Sequence, residues 1–114
     1  MNSRVLACLA LASVAAPVSA HAFLDHANPG AGAVLHVAPK SVMLAFSDDL
    51  EADSSVQIVD ESGRSVAAGR TTVSANCIMA PLRALGPGKY RVVWHAVSMD
   101  DHRTQGAYEF AIRP

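Results

Sequence analysis

The segment from Tyr90 to Val97 most constrains what this chain can become. Tyr90, Val92, Trp94 and Ala96 fall on one side of an extended strand, with Arg91, Val93, His95 and Val97 on the other. Large apolar side chains at a period of two mean one face packed on a core. Gly86-Pro87-Gly88 sets a turn ahead of it. The alternation recurs from Ala107 to Ile112, with Tyr108, Phe110 and Ile112 inward and Glu109 and Ala111 outward. Val42, Leu44 and Phe46 make a third inward row, closed by Ser47-Asp48-Asp49. Val56 to Val59, followed by Glu61-Ser62-Gly63-Arg64, reads as a strand and a turn leading into Ser65 to Ala67. Thr71 to Val73 and Ile78 to Leu82 are weaker strands, and His21 to His26 is an edge strand stopped by Asn28-Pro29-Gly30. The spacing predicts an all-β domain, an Ig-like antiparallel β-sandwich of about seven strands in Greek-key order, with Trp94 in its core.

The first twenty residues stand apart from that domain. Met1 to Arg4 form a basic start, Val5 to Val18 an apolar run, and Val18-Ser19-Ala20 a small-x-small exit. This is the pattern of a signal peptide over residues 1–20, leaving residues 21–114 as the exported domain. The apolar run is shorter than the roughly 20 residues a membrane span needs, and no later segment is longer, so no membrane insertion of the mature chain is expected. Val5-Leu6-Ala7-Cys8 imitates a lipoprotein box only loosely, because almost no apolar run precedes Cys8. The net charge is −1 and there is no basic stripe, which argues against nucleic acid or an anionic membrane surface as partner. Once Cys8 leaves with the leader, Cys77 has no disulfide partner. Its apolar neighbours suggest a buried thiol, the alternative being a soft copper(I) ligand beside Met79.

Cleavage after Ala20 makes His21 the terminal residue. Its free amine and imidazole Nδ1 can then close a six-membered ring on a metal ion. Asp100 and His102 are spaced i, i+2, so in extended backbone they project to one side. Three nitrogens and one carboxylate oxygen suit copper(II), and nickel or zinc would bind the same ligands more weakly. The two halves make one site only if the fold brings the N-terminus to the end of the Tyr90 strand, which spacing does not show. Without that, Asp100-Asp101-His102 is a solvated polar loop, and a cut after Ala22 would discard His21 altogether. His26, His36 and His95 read as solvated side chains on a loop, a surface segment and an outer strand face.

The run Tyr90-x-Val92-x-Trp94-x-Ala96-Val97-Ser98-x-Asp100-x-His102, followed by Gly106-x-Tyr108-x-Phe110-x-Ile112, resembles the C-terminal half of the CopC family of periplasmic copper-resistance proteins. Asn28-Pro29 and Leu44-x-Phe46-Ser47-Asp48-x-Leu50 extend the likeness through the N-terminal half. The resemblance implies one Cu(2+) per monomer, held in the periplasm by the amine and imidazole of His21 together with Asp100 and His102. Asp48 falls where relatives often carry glutamate, which implies a weak ligand or an outer partner of the site. It further implies a monomer that captures, buffers and delivers copper, handing it to an inner-membrane copper transport protein, and that is not an enzyme. Two other functions compete. A copper monooxygenase-like enzyme would need an extended substrate surface and an open axial position, and an Ig-like structural module would bind no metal. Two departures from the family pattern stand out. Asp101 occupies a position where glycine is common, and Met43, Met79 and Met99 are scattered, so a methionine-based copper(I) site is not expected.

Overall fold

Two rows of alternating side chains face each other to build the core. The computed structural model describes residues 23–114, so the expected leader and His21 lie outside the described residues. The strands are β1 (Leu24–Asn28), β2 (Val34–Leu35), β3 (Ser41–Phe46), β4 (Ser55–Val59), β5 (Thr72–Ser74), β6 (Cys77–Pro81), β7 (Gly88–Val97) and β8 (Arg103–Ile112). They form two four-stranded sheets, in the orders β1-β3-β6-β5 and β2-β8-β7-β4, with no helix among the described residues. Val42, Leu44 and Phe46 of β3 and Ile78 and Ala80 of β6 meet Ile58, Tyr90, Val92, Trp94, Phe110 and Ile112 of the other sheet. Sheet-on-sheet packing of this kind is what strands with one apolar face require. Phe46 and Trp94 meet edge to face, centroids 5.2 Å apart, and Tyr90 stacks on Phe110 at 5.5 Å.

The expected all-β sandwich is observed, with local differences that have physical causes. β8 begins at Arg103, ahead of the segment the apolar alternation marks, and pairs with β7 from Val97↔Arg103 to Gly88↔Ile112. Gly106 sits opposite Trp94, and a Cβ added there would lie 2.5 Å from the indole ring. The tryptophan fills the space a side chain would use, so the glycine hides a strand position from a hydrophobicity pattern. The two-residue β2 is an eighth strand, parallel to the end of β8, where Ala111 N donates to Ala33 O at 2.9 Å and Arg113 N to Leu35 O at 2.8 Å. Its cover leaves Ala111 8% exposed although its side chain points outward.

Three sequence expectations are corrected. Ser65 to Ala67 is not a strand but two isolated bridges, Val59↔Ser65 and Ala67↔Leu82, after a turn held by Asp60. Asp60 Oδ1 accepts from Ser62 N, Ser62 Oγ and Arg64 N at 2.7–3.0 Å, which holds its carboxyl below the usual range, the Ser62 hydroxyl contributing most. His26 lies within β1, paired with Ala45, instead of on a loop. Cys77 is partly exposed on the outer face of β6, because its neighbour Ile78 takes the inward position. Beyond β1, the Asn28–Pro29 bond is cis, and the Tyr108 hydroxyl donates to Pro29 O at 2.8 Å.

Gly106→Ala is expected to lower the unfolding free energy by about 1–3 kcal/mol in urea titration, through overpacking against Trp94. Gly86→Ala, whose added methyl meets nothing within 4 Å, serves as the control and should change it by less than about 0.5 kcal/mol. Burial pushes the Tyr108 phenol up from 10.0 to about 12. A raised folded value means this contribution to stability is complete below the ordinary value and lost as pH rises through about 12. The 295 nm absorbance of the folded protein should therefore show a late ionisation step near pH 12 that Tyr108→Phe removes.

Candidate metal centre

Strand direction decides which loops can meet. β7 ends and β8 begins at one end of the sandwich, and the antiparallel registers bring the β3–β4 loop, the β5–β6 turn and the entry to β1 to the same end. Backbone hydrogen bonds join these loops: Leu50 N to Ala75 O at 2.9 Å, Phe46 N to Asn76 O at 2.9 Å and Met99 N to Asp49 O at 3.1 Å. Phe23 is tied there too, donating to Ser47 Oγ and accepting from Ser47 N, both at 2.8 Å. The chain thus enters the described domain beside Asp48, two residues after His21.

The turn from Ser98 to His102 is built around a serine with no exposed surface. Ser98 N donates to His102 O at 2.9 Å, Asp101 N to Ser98 O at 2.8 Å, and His102 N to Ser98 Oγ at 3.2 Å. The same hydroxyl donates to Asp100 Oδ1. Closing so tight a loop needs one residue in the left-handed region, and Asp101 takes it with φ 71°. That explains the departure at this position: aspartate is among the few side chains that adopt the conformation a glycine would supply.

Asp100 and His102 come together as expected, His102 Nδ1 lying 3.2 Å from Asp100 Oδ1. Their side chains are 53% and 44% exposed, so a solvated ion can reach the pair. The Ser98 hydroxyl, and after it His102, hold the Asp100 carboxyl below its ordinary 3.8 against the opposing effect of desolvation. Asp100 is therefore held in its anionic form, facing one ring nitrogen of His102. Asp48 shares a cleft of about 480 Å³ with Asp100, lined also by Ser47, Asp49, Asn76 and Met99. Among the described residues no group of three or more His, Cys, Asp or Glu could hold a metal ion. His21, the further ligand expected, lies outside the described residues.

Charge is polarised about this centre. Asp25, Asp48, Asp49, Glu51, Asp53, Asp100 and Asp101 lie in this half of the sandwich with Arg103 as the one base among the described residues, a net −6. The opposite half carries Lys40, Arg64, Arg70, Arg83, Lys89, Arg91 and Arg113 against Asp60, Glu61 and Glu109, a net +4. Such a field concentrates cations at the acidic end and speeds their arrival. Ser98 and Asn76 were missed as site residues at the level of sequence. The signal for Ser98 was its spacing, a serine two positions before an aspartate, which favours side-chain-closed turns. Asn76 Nδ2 donates to Phe46 O at 2.8 Å and braces the cleft wall, a long-range contact with no local signature.

Two outcomes test this geometry. Ser98→Ala should let the Asp100 carboxyl rise toward 3.8, read from its carboxyl carbon shift across a pH titration of copper-free protein. Because the native value is depressed, the stability Asp100 contributes is present above 3.8 and is lost as the pH falls through its lower folded value. Asp101→Gly should leave thermal stability unchanged or raised, whereas Asp101→Val should cost about 1–2 kcal/mol for a left-handed β-branched residue.

Comparison with known proteins agrees with this architecture. A family model described as a CopC domain matches residues 24–113. Protein YobA of Escherichia coli K12 is 36% identical over 113 residues, covering 95% of this chain and 91% of YobA, and its Shigella flexneri counterpart matches equally. CopC from Methylosinus trichosporium OB3b superposes with a TM-score of 0.72 at 33% identity, covering 82% of this chain and 95% of that one. PcoC, a methionine-rich copper resistance protein from Escherichia coli, gives 0.70 at 28% identity, covering 82% of this chain and all of its own. With both the domain match and these relatives spanning nearly all of the described residues, this chain is a member of the CopC domain family.

Proposed function

We propose that the protein is a periplasmic copper(II) carrier: exported by a leader over residues 1–20, it takes up one Cu(2+) per monomer for buffering and delivery. The ligands in this reading are the amine and imidazole of His21 with Asp100 and His102, and Asp48 contributes from the cleft wall. The observation that carries it is the pairing of Asp100 with His102 at the end of the sandwich where Phe23 is anchored. Two residues of extended chain span at most about 7 Å from Phe23, and in this reading His21 crosses that span to join the pair. Nitrogen donors with one carboxylate are the set that copper(II) prefers, and the acidic end draws a cation toward them. Copper is cargo here, and transfer to an inner-membrane copper transport protein is the step this exposed position serves. Membership of a family whose solved relatives include a copper resistance protein supports the same reading.

Copper(II) titration of the exported protein should give one equivalent. His102→Ala, or any residue added ahead of His21, should weaken binding by about a hundredfold or more, while His36→Ala leaves it unchanged. Asp48→Ala should weaken it by about tenfold, the usual effect of losing an outer partner. The free amine titrates near about 7.7–8.0 and imidazole near about 6.5, so affinity should fall steeply below neutrality as protons compete for the same nitrogens. Equal binding at pH 5 and pH 8, or in the His102→Ala variant, would sink the proposal.

A further inference from the structure

The register of β3 against β6 brings together three sulfur-bearing side chains that are far apart in sequence. Met43 is paired directly with Met79, and Ala45 with Cys77. Val42, Leu44, Ile78 and Ala80 are wholly buried, so alternation turns Met43, Ala45, Cys77 and Met79 onto the outer face of that sheet. Directly opposed residues have Cβ atoms about 5 Å apart and diagonal ones about 7–8 Å. Residues two apart along a strand are separated by about 6.6 Å. Met43, Met79 and Cys77 therefore occupy three corners of a small rectangle, and Ala45, the fourth, carries only a methyl group covered by its neighbours. Methionine has three rotatable bonds with which to bring its sulfur toward the Cys77 thiol. Met79 is 46% exposed, and Met43 and Cys77 are partly exposed, so an ion has access. Cys77 Sγ lies 3.8 Å from Asn76 Oδ1, next to the acidic cleft but outside it.

Linear spacing alone shows these residues as scattered methionines and a separate thiol, and the register brings them together. We propose that Cys77, Met43 and Met79 form a binding site for a monovalent thiophilic cation, copper(I) or its analogue silver(I). A thiolate with two thioethers favours such ions over copper(II). On binding, the Cys77 thiol releases its proton to solvent as the metal–sulfur bond forms, and the oxidation state of the cation is unchanged. The site needs neither His21 nor the Asp100–His102 pair, so it stands or falls apart from the copper(II) reading.

The test is a silver(I) titration in chloride-free buffer, on the full chain carrying Cys8→Ser so that Cys77 is its only thiol. One equivalent should bind, Cys77→Ser should abolish binding, and the volume-conserving pair Met43→Leu with Met79→Leu should weaken it by about tenfold or more. His102→Ala should leave silver binding unchanged. Copper(I) kept reduced with ascorbate should reproduce the series. If the methionine double variant binds silver as tightly as the parent, a bare thiol suffices and the site does not exist. Failure of the parent to bind silver, or loss of silver binding in His102→Ala, overturns the proposal equally.

Discussion

The antiparallel ladder between β7 and β8 is the constraint on which the rest depends. Its ten residue pairs hold Trp94 over Gly106 and align two inward rows of apolar side chains against the opposite sheet. Where the ladder runs out, the chain must reverse within a few residues, and Ser98 closes that reversal from a fully buried position. The hydroxyl that completes the turn is also the one that keeps Asp100 ionised. Fold and candidate chemistry are therefore joined at one residue: packing that fixes Ser98 also positions the Asp100 carboxylate, which faces His102 Nδ1.

Around that turn the sandwich gathers groups that the sequence keeps apart. The β3–β4 loop brings Asp48 and Asp49, the β5–β6 turn brings Asn76, and the entry to β1 is pinned at Ser47. The resulting charge separation, −6 at one end and +4 at the other, has no counterpart in a chain whose net charge is near zero. It arises because most acidic residues sit at one end of the sandwich and most basic ones at the other. The absence of a basic stripe in the sequence is consistent with this, since the seven bases of the far end come from separate loops and strands.

Much of the fold was legible because apolar alternation and turn residues report directly on a half-buried strand. Tyr90, Val92, Trp94 and Phe110 show this, all of them in the core. Legibility failed where a strand position carried no apolar side chain. Gly106 concealed the first part of β8, and the two residues of β2 are too few to show an alternation. At the site, Asp100 and His102 could be paired from their spacing, and the positive φ of Asp101 accounts for the unusual residue between them. Ser98 had a local signal in its spacing from Asp100, whereas Asn76 was not legible, because its partner Phe46 meets it only in the folded chain. The sulfur trio shows the same limit: Met43 and Met79 are neighbours only through the β3–β6 register.

The copper account rests on His102 and the terminal histidine binding the same ion. Electron paramagnetic resonance of the copper(II)-loaded exported protein tests this most directly, through the nitrogen hyperfine pattern. The account predicts three coordinated nitrogens in the parent and two in His102→Ala. An unchanged pattern in that variant would contradict it.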